Sequence, residues 1–317
     1  MNEQHIWYDP RCGQYRTREP TGDASIFATP KSIYNYLDER IYAQTDAKRF
    51  FSELLYLTHN KGCKVKKMNA LLVAPTGSGK THLARVLSEI TQVLTVNCAN
   101  LTAEGFKGMN FSQALSNAIS SGIDFDEPTI VFCDEADKMM TQSDRSWGQA
   151  ILNSILKIME SDTCQLPTPD GKDVLNIDFS NISFIFCGTF SFLKEDTHKK
   201  PIGFTSSSFE PASNSVTRQM LLDSKVFSDE FVGRLDKIIV SENPFKTDDD
   251  YKKILFKFVL PELEQNYGIS INLQEQTTQE LIDNAKTYNT RGLKSLLTER
   301  INDLIFENEI NTQTFTI

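Results

Sequence analysis

The sequence predicts an α/β fold: a parallel-sheet domain built around a glycine-rich loop, followed by a smaller, mostly helical domain. Three observations carry this expectation. Short β-rich runs at 70–73 (ALLV), 93–96 (VLTV), 129–133 (TIVFC), 182–187 (ISFIFC) and 237–240 (KIIV) alternate with helical stretches, the rhythm of strands joined by helical crossovers. Residues 74–81 (APTGSGKT) lie between the first of these runs and an amphipathic stretch at 82–90. After Asn243-Pro244 the pattern turns mostly helical.

In chain order, residues 1–28 are polar, contain Pro10, Gly13, Pro20 and Gly22, and show no periodicity, so they read as a flexible arm. Thr29-Pro30 is a helix start, followed by Ile33, Tyr34, Leu37 and Ile41 on one helical face. A second helical pattern runs from about 46 to 59, ahead of the strand-and-helix alternation. Beyond it, helices are expected at 251–267, 277–286 and 290–309, with short strands at 269–273 and 314–317. The expected organisation is therefore an arm (1–28), a large α/β domain (29–242) and a small helical domain (243–317). The Ser-rich stretch 205–215 lacks an apolar period and reads as a surface loop.

Composition narrows the partners. At 317 residues the chain can form two domains. With a net charge of -9 and no run of five basic residues, no nucleic-acid partner is expected. The densest basic cluster, 61–67 (KGCKVKK), reads as a solvated loop. The six cysteines, at 12, 63, 98, 133, 164 and 187, form no C-x-x-C pair, which supports neither a zinc module nor a disulfide framework. Cys133 and Cys187 sit in apolar runs, where a free thiol acts as a small hydrophobe. Without a signal core or an apolar run of eighteen residues, the expectation is a soluble, cytoplasmic protein with no membrane partner.

Two motifs carry chemistry. A strand feeding a glycine-rich turn that opens a helix aims backbone N–H groups and the positive end of the helix dipole at an anion. Pro75, Thr76, Gly77, Ser78 and Gly79 would line the phosphates of a nucleoside triphosphate, Lys80 would reach its β- and γ-phosphates, and Thr81 would offer its hydroxyl to Mg²⁺. Ala74 stands where glycine is usual, which a small residue ending a strand tolerates because positive φ is not needed there. A glycine-rich turn that binds nothing is the alternative, and the strand and helix on either side argue against it. The run 130–135 (IVFCDE) ends a strand in two acids: Asp134 would serve Mg²⁺ while Glu135 polarises the attacking water. A solvated acidic turn is the bland alternative.

With these motifs in place, the chain from about Thr29 onward resembles the AAA+ superfamily and, within it, the Clp unfoldases of the ClpX kind. The segment 29–51 (TPKSIYNYLDERIYAQTDAKRFF) resembles the family's opening segment, which implies that Ile41, Tyr42 and Gln44 pack on adenine, with Ala43 replacing the family's glycine. CDEADK (133–138) follows in family order. FSDEFVGRLDKIIV (227–240) resembles the segment presenting an arginine finger, which implies that role for Arg234; a structural ion pair is the alternative. TRGLKSLL (290–297) resembles the start of the sensor 2 helix, which implies that Arg291 touches the phosphates; an ordinary helix-start arginine is the alternative. A guanidinium supplied by a neighbour stabilises charge on the transferred phosphoryl group, so the resemblance implies a ring, a homo-hexamer. FIFCGTF (184–190) lacks the Asn of sensor 1, leaving Thr189 as candidate and Cys187 as its competitor.

LTAEGFKG (101–108) lies where the family carries an aromatic pore loop. Phe106 would grip polypeptide, Gly105 and Gly108 would let the loop project, and Lys107 would add charge beside the grip. Phe106 as a core side chain is the alternative, and its polar neighbours favour exposure. TQSDRSW (141–147) matches a second pore element by position only. Ile202, Gly203 and Phe204, inside a polar insertion, resemble the tripeptide by which ClpX docks on a ClpP-like peptidase, although the loop could fold back on its own ring. The zinc module of ClpX has no counterpart here, Cys12 being the only cysteine before residue 63. The resulting expectation is an ATP- and Mg²⁺-dependent protein unfoldase. A protease-independent remodelling ATPase, a DNA-associated AAA+ motor and an inactive nucleotide-binding scaffold are its rivals.

Overall fold

Successive residues of each central strand feed two separate cores, one on either face of the sheet. The computed structural model of the protein describes residues 5–9, 14–18, 24–60, 62–103, 105–141, 145–168, 172–195, 216–241, 247–307 and 314–316. The chain divides into two compact units: Met1–Pro75 with Lys80–Ser241, and Glu242–Ile317 together with the loop tip Thr76–Gly79.

The first unit opens with β1 (His5–Asp9) and β2 (Gln14–Arg18), a 3-10 turn at Ala24–Ala28, then α1 (Pro30–Arg40), α2 (Thr45–His59), β3 (Ala70–Val73), α3 (Lys80–Leu87) and β4 (Gln92–Asn97). It continues with α4 (Phe111–Ser120), β5 (Thr129–Asp134), α5 (Ala136–Thr141), α6 (Arg145–Glu160), β6 (Thr163–Pro167), β7 (Val174–Asp178) and β8 (Ile182–Gly188). It closes with α7 (Phe192–Glu195), α8 (Arg218–Asp223), α9 (Asp229–Gly233) and β9 (Lys237–Val240). The main sheet has seven strands in the order β2-β1-β4-β5-β8-β3-β9. Its five central strands, β4 to β9 in that order, are all parallel, as helical crossovers require.

Each strand alternates between the two cores. Leu71, Val73, Leu94, Val96, Val131, Cys133, Phe184 and Phe186 pack with α4, α6 and α9 on one face. Ala70, Leu72, Val93, Ile130, Phe132, Ile185 and Cys187 pack with α1, α2 and α3 on the other. Both faces being covered, the strands read as continuous apolar runs rather than alternating ones. The helices start where local chemistry supports them: Thr29 caps α1 through Ser32 N–H with Pro30 at its first turn, and Asn110 with Gln113 forms a capping box on α4. Burial pushes the Cys133 and Cys187 thiols well up, the former also through a hydrogen bond with Cys98, so both remain protonated hydrophobes.

Three differences from the sequence expectation stand out. Inside the stretch read as an arm, β1 and β2 form an antiparallel hairpin whose first strand joins the sheet edge with Trp7 opposite Val93. Edge pairing is made by backbone groups, so apolar periodicity does not announce it. The antiparallel pair β6–β7, a separate two-stranded ribbon, is additional to the expected strands, and its half-exposed residues leave no continuous apolar run to announce it. In the second unit, the two helices expected at 277–286 and 290–309 are one 33-residue helix, α12 (Glu275–Glu307). Residues 287–289 (Thr, Tyr, Asn) contain no breaker, and Leu281, Ala285, Leu293, Leu297 and Ile301 keep one buried stripe at fourfold spacing across the junction.

The second unit also contains α10 (Asp248–Ile254), a π-helical turn (Leu255–Val259), α11 (Leu260–Tyr267) and the parallel pair β10 (Ser270–Asn272) and β11 (Thr314–Thr316). The π turn precedes Pro261, whose missing N–H cannot continue the regular ladder. Among the described residues no helix is long and apolar enough to cross a membrane.

Phe51 is fully buried, stacked on Phe132 at 5.7 Å and edge-on to Phe50. Phe51→Ala is therefore expected to cost about 3–5 kcal/mol, read as a lower urea midpoint with an unchanged slope.

Candidate active site

The parallel register gathers the expected chemistry at one edge of the sheet. Val73 lies opposite Gly188, and the ladder continues through Ala74 N–H to the Gly188 carbonyl at 2.9 Å. In the next strand, Cys133 lies opposite Phe186. The start of the phosphate loop, Asp134 and Thr189 thus emerge side by side, with β3 and β5 separated by the single strand β8, a spacing of about 10 Å. The carboxyl edge of such a sheet is where α/β proteins bind ligands.

Within the loop, Gly77 and Gly79 hold φ of 79° and 92°, conformations open chiefly to glycine. Ala74 is buried and is not among the positive-φ residues, as expected of a strand end. Pro75 and Gly77 are half-buried, Thr76 exposed and Ser78 buried. Lys80 opens α3 and donates to the carbonyls of Ala74 and Pro75, both at 2.9 Å, so its ammonium is folded over its own loop. Thr81 next to it is exposed.

Asp134 and Glu135 are half-buried. The Asp134 carboxylate accepts the Glu135 N–H at 2.9 Å, which stabilises the left-handed φ of 55° at Glu135. That twist turns the second acid out of the strand, where Lys138 Nζ meets it at 2.7 Å. The Glu135 carboxylate in turn holds the Lys138 ammonium above the usual lysine range. For Mg²⁺ the donor set fits: the Thr81 hydroxyl and the Asp134 carboxylate are hard oxygen donors, and this ion takes one or two protein oxygens and completes its shell with water and phosphate.

Asp137, inside CDEADK, carries no role in the sequence expectation. Nearly buried, its Oδ2 accepts from Thr189 N–H (3.0 Å), Thr189 Oγ1–H (2.7 Å) and Phe190 N–H (3.1 Å). It thereby fixes the turn after β8, including a left-handed Phe190 at φ 47°. An acid on the buried side of CDEADK was the available signal. Cys187, the competitor of Thr189, is buried in the core that the sheet shares with α1, α2 and α3.

Arg234 caps α9 and pairs with Glu160 at 3.1 Å, both partly exposed, the ion pair that the sequence left open as an alternative. Its position matters more. Asn69, at the start of β3, donates to the Arg234 carbonyl and binds Asp236, so Arg234 sits at the amino edge of the sheet. The four-residue β3 separates it from the phosphate-loop edge by about 13 Å.

The base-side candidates Ile41, Tyr42 and Gln44 lie between α1 and α2, where Ala43 and Gln44 both take φ of 51°. Ala43 thus holds a left-handed conformation that glycine would adopt freely. In the second unit, Arg291 is exposed in the middle of α12 rather than at a helix start. Its neighbour Thr290, the first residue of TRGLKSLL, donates to the carbonyl of Gly77 at 3.3 Å.

At the pore-loop candidate, Leu101 and Ala103 are buried while Phe106 is 56% exposed. Thr102 N–H to Met109 C=O (3.0 Å) closes the loop at its base. Gly105 and Gly108 hold φ of 87° and 140°, and a Cβ on Gly108 would run into the Thr102 side chain. Lys107 is exposed. Ile202, Gly203 and Phe204 lie outside the described residues, as does part of the second pore element at 142–144.

Residues 65–238 match the family described as AAA domain (Cdc48 subfamily). The chain is also similar to proteins named ATP-dependent Clp protease ATP-binding subunit ClpX. That of Treponema denticola is 27% identical over 92% of this chain and 80% of its own length. That of Borrelia duttonii is 29% identical over 88% and 74%, and that of Bacteroides thetaiotaomicron 26% over 93% and 81%.

The packing around Asp137 makes a checkable demand. A Cβ on Gly188 would stand 2.5 Å from Asp137 Oδ1 and 2.7 Å from its Cγ, so Gly188→Ala is expected to destabilise by about 1–3 kcal/mol. Asp137→Ala, which strands the donors of residues 189 and 190, should cost about 3 kcal/mol. Urea denaturation of both variants measures this, and wild-type midpoints would refute the clasp.

Proposed function

Because the chain belongs to the AAA domain family (Cdc48 subfamily) and is an ATPase of the Clp type, we propose that it is a ring-forming protein unfoldase that pulls polypeptide through a central pore. The observation that carries the pore is Phe106: an aromatic side chain more than half exposed, on a short loop that two left-handed glycines shape and one backbone hydrogen bond closes. Exposed aromatics on such loops bind extended chain without regard to sequence. Lys107 would add affinity for acidic stretches of the client.

In the hydrolytic step, Lys80 would leave the Ala74 and Pro75 carbonyls for the phosphates, and Thr81 and Asp134 would hold Mg²⁺, which would neutralise phosphate charge. Glu135 polarises the attacking water and takes its proton, which requires the Lys138 pair to open. Thr189, positioned by Asp137, would sense the γ-phosphate, Arg291 would act as sensor 2, and Ile41, Tyr42 and Gln44 would face the base. The location of Arg234 at the amino edge of its own sheet favours action on a neighbouring subunit's ATP, and hence a homo-hexamer. The large domain (29–242) would carry the motor chemistry, and the small one (243–317) would contribute Arg291. Ile202, Gly203 and Phe204 would dock a ClpP-like peptidase, as the names of the relatives suggest. The acidic balance fits a cytoplasmic protein that handles polypeptide rather than nucleic acid.

Two experiments test this reading. Lys80→Ala should abolish nucleotide binding while Glu135→Gln binds ATP without turning it over, as calorimetry and phosphate release would report; normal turnover by Glu135→Gln would remove it from the chemistry. Phe106→Ala should keep ATP hydrolysis yet fail to unfold a tagged fluorescent protein. Unfolding at the wild-type rate would sink the pore assignment.

A further inference from the structure

The connector between α1 and α2 is held in a conformation it would not choose, and His82 is one of the groups that holds it. Ala43 and Gln44 are consecutive left-handed residues, a strained pair for L side chains. Two side-chain tethers are among the contacts that secure the segment. Lys48, almost wholly buried, donates to the Ile41 carbonyl at 3.3 Å while Asp38 neutralises its charge. His82 Nε2 lies 2.8 Å from the Arg40 carbonyl, one of the last carbonyls of α1 and without a helical partner of its own.

His82 follows Thr81 directly, so this second tether runs from the first turn of the phosphate-loop helix to the end of α1. Its chemistry is set by a neighbour: Arg85 Nη2 donates to His82 Nδ1 at 2.9 Å, which assigns the proton to Nε2 and makes that atom the donor to Arg40. A parallel bridge reinforces the approach of the helices, with Tyr36 Oη donating to Glu89 at 2.8 Å and Arg40 Nε 3.6 Å from the same carboxylate.

The geometry points to His82 as a positioning residue that sets the connector carrying Ile41 and Tyr42 against the phosphate-loop helix, and so fixes the base end of the nucleotide site relative to its phosphate end. The inference rests on the proposed reading that Ile41 and Tyr42 face the base. A nucleotide gripped at both ends gains from both contacts only if their separation is set beforehand. Inorganic tripolyphosphate, having no base, needs the phosphate end alone.

The test compares a fluorescent ATP analogue with tripolyphosphate, each with Mg²⁺, by direct and competition binding to the full chain. His82→Leu removes the donor at similar volume, and His82→Asn keeps an amide too short to reach Arg40; either suffices should the other fail to fold. Both should weaken the ATP analogue about three- to tenfold while leaving tripolyphosphate unchanged. His82→Gln, whose amide nitrogen reaches as far as Nε2, should restore wild-type binding. Equal loss for both probes would assign His82 to the phosphate loop alone, and undiminished binding of both would remove its role; either overturns the inference. Lys80→Ala, measured alongside, should lose both probes, and if it does not, the nucleotide site itself is misassigned.

Discussion

The hydrogen bond from Ala74 N–H to the Gly188 carbonyl extends the β3–β8 ladder one step beyond the last strand residue, and the active-site edge depends on it. Parallel strands in register end together, so a loop leaving β3, a pair of acids leaving β5 and a turn leaving β8 are delivered to the same place. The delivery would be loose without Asp137, whose carboxylate gathers three donors from the β8 turn onto α5. Gly188 is the counterpart of that clasp: the carboxylate lies where a side chain would begin. One buried acid thus links the element that carries Glu135 to the one that carries Thr189.

The same sheet sets a polarity. Its carboxyl edge holds the phosphate loop and the acids, its amino edge holds Asn69 and the turn with Arg234. A guanidinium at one edge cannot serve phosphates at the other within one chain, since an arginine side chain is shorter than the strand between them. Under the proposed function Lys80 serves the phosphates from within its own chain, whereas Arg234 could reach only those of a neighbouring subunit. Hydrolysis would then depend on assembly, and the surface pair with Glu160 is weak enough to exchange for a better partner.

Strain concentrates beside these elements. Ala43, Gln44, Glu135 and Phe190 are four of the five non-glycine residues with positive φ among those described, and each is flanked by a specific hydrogen bond. Sparse backbone regions are retained where surrounding contacts over-determine them. Here the contacts come from Lys48 for the connector, Asp134 for Glu135 and Asp137 for Phe190.

The α/β class, the five central strands, the phosphate loop and the paired acids were legible from residue order alone, because each depends on local pattern: apolar runs of strand length, glycines at a tight turn, acids ending a strand. The edge hairpin, the unbroken α12, the Asp137 clasp and the tether from His82 to Arg40 were not. Backbone pairing at a sheet edge leaves no side-chain period, and a helix continues through weak residues when its buried stripe continues. A carboxylate or imidazole acquires its partner only when residues 52 apart, or 42 apart, along the chain are brought within hydrogen-bond reach. The sequence by itself determined which chemistry the chain can perform; tertiary structure decided how the groups are aimed, because aim is a relation between residues that only folding makes neighbours.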